Sequence, residues 1–255
     1  MKYFFLSLFI VSLSLVGCKD DDDAPQGEPS TFTVTVENVV TPFSYFQSGV
    51  VNTPVNASDP GPIFPGDSYE ITFNAGPNVT PMDGGARLSF LTMFVQSNDL
   101  FFAPDEDGIS LFDDAGNPIG EGTPADVTDQ VQLWDAGTEV NEESGGPNQK
   151  PQQDGTSGQM NATDIGLDEN GVVTLIENNT DGTNTLPDVD EVIRVTVSYS
   201  GGNEFVVTFA NVSDAMTIAL PAAGPNARGP VPITPFAWAV HTGEAPFFTT
   251  GESAS

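Results

Sequence analysis

Asp135 and Glu139 flank Ala136-Gly137-Thr138, and Asp99 closes a long apolar run some way before them. A glycine between two carboxylates lets the chain reverse sharply and return the second acid to the first. Oxygens gathered in this way suit a hard divalent cation, which takes about 6–8 of them at about 2.3–2.6 Å. The same spacing also suits Asx turns, in which an acid binds its own backbone. Spacing alone leaves both readings open.

Other constellations offer less. Asp105-Glu106-Asp107-Gly108 and Asp168-Glu169-Asn170-Gly171 lack the alternating oxygens and closing Glu of an EF-hand loop, and are read as hairpin turns. Asp113 and Asp114 are read likewise. His241 is the single histidine and Cys18 the single cysteine. The sequence holds no Gly-x-Ser-x-Gly, no His-Glu-x-x-His and no P-loop, so the common nucleophile and metal-hydrolase chemistries have no material. A glycosidase working through paired carboxylates is the enzyme class that composition leaves standing. His241, Trp134 and Trp238 are expected in the core or at its edge rather than in a catalytic or sugar-stacking role.

The elements that must position these acids read as strands. Phe32, Val34 and Val36 alternate with polar neighbours, as do Ile193, Val195, Val197 and Tyr199. Arg87 to Gln96 is apolar on both faces, as a central strand covered on two sides would be. Further strands are expected at Tyr69–Phe73, Ile109–Phe112, Val131–Trp134, Val172–Ile176, Phe205–Ala210, Met216–Leu220 and Phe236–His241. Twenty-six Gly and 21 Pro punctuate these runs, and turn sequences such as Ser200-Gly201-Gly202-Asn203 separate them. No helical period of useful length follows the first residues. The expected fold is all-β, an antiparallel β-sandwich. Glu142 to Asp164, poor in large apolar side chains, is either an excursion at one end or disordered.

The first residues carry an address. Lys2 precedes an apolar run from Tyr3 to Val16 that is too short to span a bilayer stably. Leu15-Val16-Gly17-Cys18 resembles the bacterial lipobox, which implies a signal peptide over 1–17 and acylation of Cys18. Lys19 and Asp20 to Asp23 open an acidic tether over 18–30. A lysine followed by acids there also resembles a surface-export signal of some Gram-negative lipoproteins. The resemblance implies a membrane contact through lipid alone, at the outer membrane with the protein displayed outside the cell. With one cysteine, no disulfide can form within the chain.

Thirty-six Asp plus Glu against 6 Lys plus Arg give a net charge of −30. Such a surface repels phosphates, so nucleic acid is excluded as a partner.

Leu88-Ser-Phe-Leu-Thr-Met-Phe-Val-Gln-Ser-Asn-Asp99 and Leu133-Trp-Asp-Ala-Gly-Thr-Glu139 occur in that order and resemble the spondin N-terminal domain family, including its bacterial lipoprotein members. Gly61-Pro62-Ile63-Phe64-Pro65-Gly66 and the lead strand Phe32 to Val39 fit the same likeness. It spans 31–200 and implies a C2-like β-sandwich with calcium at one end, held by Asp99, Asp135 and Glu139. It further implies a cell-surface role in adhesion or ligand binding, toward an extracellular protein or glycan, without catalysis. Phe205-Val-Val-Thr-Phe-Ala-Asn-Val212 echoes the lead strand, and Thr234-Pro235-Phe236 echoes Thr41-Pro42-Phe43. Residues 201–255 are therefore either a partial second copy or additional strands. The alternatives to a binding module are an exported polysaccharide hydrolase using paired carboxylates, and a structural spacer in a surface complex.

Overall fold

The computed structural model describes residues 45–76, 85–149, 167–169, 171–242 and 247–254. The signal segment, Cys18, the acidic tether and the strand expected at Phe32 to Val39 lie outside these residues, as does the stretch from Lys150 to Asp164.

The described chain is an antiparallel β-sandwich. In chain order its strands are β1 (Tyr45–Val51), β2 (Ser68–Asn74), β3 (Arg87–Met93), β4 (Leu100–Pro104), β5 (Ile109–Ser110), β6 (Ala125–Asp126), β7 (Val131–Asp135), β8 (Thr174–Leu175), β9 (Ile193–Gly201), β10 (Glu204–Asn211), β11 (Ile218–Ala219), β12 (Arg228–Gly229) and β13 (Phe236–His241). Among the described residues, the larger sheet runs β1-β13-β3-β4-β7-β8, with β5 also on β3. The smaller runs β2-β10-β9-β6, and β11 pairs with β12. Residues 204–211 and 236–241 thus pair inside the two sheets, each between two strands that come earlier in the chain.

Period-two patterning explains which faces meet. On β9, Ile193, Val195 and Val197 are fully buried while Arg194 is exposed, and β10 alternates in the same way with Phe205, Val207 and Phe209 inward. These side chains meet Leu88 and Phe90 of β3 and Phe236 and Trp238 of β13 in one core. Its centre is aromatic. The Phe90 ring lies 4.8 Å from Phe209 and 5.8 Å from Phe236, and Phe209 lies 4.5 Å from Phe236, in edge-on or tilted arrangements that suit the ring quadrupoles.

The larger sheet is apolar on its other face too. Phe101, Ala103, Trp134 and Val173 form a second cluster, flanked by Leu91, Ala136 and Phe248. This accounts for the two-faced pattern of Arg87 to Gln96, in which Leu88, Phe90 and Phe94 enter the main core and Leu91 borders the second. The cover comes from the C-terminal residues. Phe248 packs on Phe101 and Trp134 with ring centroids at 5.3 and 4.9 Å. The amides of Gly251 and Val173 donate to the carbonyls of Val173 and Glu252 at 2.8 and 2.9 Å.

Several strands differ from expectation. β1 and β4 were not anticipated, and the runs expected at Val172–Ile176 and Met216–Leu220 contract to two paired residues each. Asp105 to Gly108 is a turn between β4 and β5, closed by Gly108 N–H donating to Asp105 O and Oδ1. Asp113 accepts from the Ala115 and Asn117 amides as an Asx turn. Leu167 to Glu169 is extended instead, and pairs antiparallel with Thr138–Val140.

Candidate functional site

Asp99 and the loop after Asp135 meet because of strand register. β4 and β7 run antiparallel with Leu100 opposite Asp135. Asp99 therefore sits just before β4 begins, beside the point where β7 ends and Ala136–Glu139 leaves the sheet. The link into β4 is tight: Ser97 Oγ donates to Phe94 O at 2.6 Å and accepts from Leu100 N–H at 3.0 Å.

Asp99 fastens the loop with a single oxygen. Its Oδ2 accepts from Thr138 N–H at 2.7 Å, Thr138 Oγ1–H at 2.8 Å and Glu139 N–H at 2.9 Å. Its Oδ1 is buried and has no hydrogen-bond partner among the described residues. Such an oxygen on a carboxylate is costly unless something positive meets it.

Asp135 is buried at the end of β7. Its Oδ1 accepts from Gly137 N–H at 2.7 Å and its Oδ2 from Asn141 Nδ2 at 2.6 Å. Burial raises the pKa of this carboxyl above the usual range, against the lowering effect of those two donors, and the charges of Asp99 and Asp181 raise it further. Asp99 and Asp181 thus both disfavour the charge on Asp135.

Glu139 is held mainly by its backbone. Its Oε2 lies 3.5 Å from Asn98 Nδ2, a marginal contact. Gly137 makes the reversal possible. Its φ is +65°, and a Cβ there would lie 2.8 Å from both Val172 N and Val172 O, so the loop closes against the neighbouring segment only without a side chain.

Acids and amides extend the network. Asn98, almost fully buried, accepts from Glu142 N–H at 3.1 Å. Asp181 accepts from the Thr183 and Asn184 amides at 2.8 and 2.6 Å and from Asn184 Nδ2 at 2.8 Å. Asn184 in turn accepts from Ser144 N–H at 2.7 Å and donates to Glu142 O at 2.8 Å. Sequence reasoning passed over Asn98, Asn141, Asp181 and Asn184. Asn98 and Asn141 adjoin the Asp99 and Asp135 motifs, whereas Asp181 and Asn184 are distant in sequence and carried no signal.

The residues fit a cation in part. Among the described residues, no three Asp, Glu, His or Cys side chains are grouped tightly enough to hold a metal ion by themselves. In favour stand an unpartnered buried carboxylate oxygen on Asp99 and a second acid, Asp135, whose charge is disfavoured by its surroundings. Calcium completes its shell with backbone carbonyls and water, so two or three acids are enough.

His241 is fully buried on β13, with Nε2 2.8 Å from Ser89 Oγ. Trp134 and Trp238 are buried as well.

No protein-family model matches this chain, and no curated protein or solved structure is significantly similar to it.

Proposed function

We propose that this chain is a lipid-anchored, cell-surface binding module of spondin type, in which calcium orders the loops at one end of the sandwich. Asp99, Asp135 and Glu139 would hold the ion. The ordered end would present an acidic surface to an extracellular protein or glycan, and the lipid on Cys18 would supply the membrane contact. No catalytic step is assigned.

The observation that carries the reading is the division of labour on Asp99. One oxygen fixes the loop through three donors while the other is buried without a partner among the described residues. A bound cation would supply the missing partner and offset the repulsion of Asp135 by Asp99 and Asp181. Asp99 and Asp135 would contribute charge, Gly137 the reversal, and the amides of Asn98 and Asn141 the alignment.

Calorimetric titration of chelator-stripped protein with Ca²⁺, paired with melting curves, tests this. Heat of binding and a raised midpoint are expected, both lost in the Asp99→Asn, Asp135→Asn double variant. Absence of binding in the parent protein, or an undiminished shift in the double variant, removes the calcium site.

A further inference from the structure

A cavity of about 580 Å³ lies beside the calcium-site loop, between the outer face of the larger sheet and the C-terminal segment that crosses it. Its walls are Leu91, Met93, Phe101 and Val173 from the sheet side and Phe247 and Phe248 from the crossing segment. The volume falls within the roughly 300–1,000 Å³ of small-molecule sites. The roof is fastened on both sides. The Phe248 ring packs edge-on against Phe101 and tilted against Trp134, the Gly251 and Val173 amides bond across to Val173 and Glu252, and Thr250 N–H donates to Glu106 Oε1.

The charged groups among the described residues lining this cavity have one sign. Asp99 and Glu252 both line it, and the exposed Glu252 side chain has no partner among the described residues. Among the described residues, no cationic one lines it. The three described arginines are engaged elsewhere: Arg87 with Gly108 O, Arg194 with Asp126, and Arg228 with Met216 O and Thr217 O. An anionic ligand would be brought against two carboxylates in a chain of net charge −30. A neutral one would leave the acids unmatched.

We propose that the cavity binds an amphipathic cation: an aliphatic or aromatic body seated against Leu91, Met93, Phe101 and Phe247, with an ammonium group directed toward Glu252. Apolar burial supplies the affinity and the acids supply the choice of charge. The aromatic rings of Phe101 and Phe248 favour a cation over an uncharged head as well.

The inference does not depend on calcium, because its distinguishing residues, Met93 and Glu252, lie outside the acidic loop. The probe is 4-phenylbutylamine, titrated calorimetrically in chelator at about 0.15 M salt, where loose attraction to an acidic surface is largely screened. Its uncharged and anionic counterparts, 4-phenylbutanol and 4-phenylbutyrate, are run alongside. The amine is expected to bind, with the alcohol about tenfold weaker and the carboxylate weaker still. Met93→Trp, which fills the cavity from a half-buried position, should reduce amine binding about tenfold or more. Glu252→Gln should narrow the gap between amine and alcohol while leaving the melting midpoint unchanged. Failure of the amine to bind overturns the proposal, as does an alcohol that binds equally well, or binding indifferent to Met93→Trp. Loss of calcium binding with retention of amine selectivity would remove the calcium reading and leave this one standing.

Discussion

Leu100 and Asp135 face each other across the β4–β7 ladder, and this register places Asp99 Oδ2 2.7 Å from the Thr138 amide. A one-residue slip would turn Leu100 and Phe102 out of the core and carry Asp99 away from the loop. The core therefore fixes the site, since Leu100 and Phe102 cannot leave the interior without cost.

Removing the Asp99 carboxylate should loosen that end of the sheet. Asp99→Ala leaves Thr138 N–H, Thr138 Oγ1 and Glu139 N–H without their acceptor, and is expected to cost about 1–3 kcal/mol in urea unfolding. Asp99→Asn keeps one acceptor oxygen and should cost less. Equal losses would mean that the three bonds contribute little.

Gly137→Ala tests the reversal between the two acids. The left-handed backbone alone costs a non-glycine residue about 1–3 kcal/mol, and the added methyl meets Val172 backbone atoms at 2.8 Å. We expect a lower melting midpoint and weakened calcium binding together. A variant with parental stability would show that the loop has room to shift.

Asp135 gives a pH signature with a defined sign. Its pKa is raised on folding by burial and by neighbouring acids, so the folded state binds its proton more tightly than the unfolded chain does. In chelator, its contribution to stability should increase as pH falls through the raised value and be complete below about 3.9, the unfolded value. Asp113, Asp126 and Glu106 act oppositely. Hydrogen bonds to Asn117, Thr128 and Thr250 respectively hold their carboxyls low, so their stabilisation is lost only at more acidic pH. Comparing the parent with Asp135→Asn from neutral to mildly acidic pH isolates the term. The parent should gain relative to the variant on acidification, and a constant difference would contradict the assignment. If Asp135 holds calcium as proposed, binding should weaken across the same interval, because proton and ion would compete for it.

Phe90→Ala tests the shared aromatic core. Phe90 is fully buried between Phe209 and Phe236, and truncation is expected to cost about 3–5 kcal/mol. Guanidinium unfolding would measure it, and a loss below about 1 kcal/mol would show that the cavity collapses freely.

Much of this architecture was legible because strand patterning is a short-range signal. Ile193 to Val197 alternates and is a strand of the expected facing, and Phe205 to Ala210, more uniformly apolar, is a strand as expected. β4 was illegible for the opposite reason: all five residues from Leu100 to Pro104 are buried, so no alternation marks it. Of the site, Asp99, Asp135 and the turn at Gly137 could be found from motif and spacing. The contributions of Asn141, Asp181 and Asn184 could not, because they depend on which loops the sheet register collects at one end.

β13 lies between β1 and β3, and β10 between β2 and β9. Both sheets are thus completed from the inside by strands from the last quarter of the polypeptide. A chain released only to residue 190 lacks the middles of both sheets and leaves their aromatic faces exposed to water. Folding must therefore wait for β13, with contacts that span more than a hundred residues setting the rate.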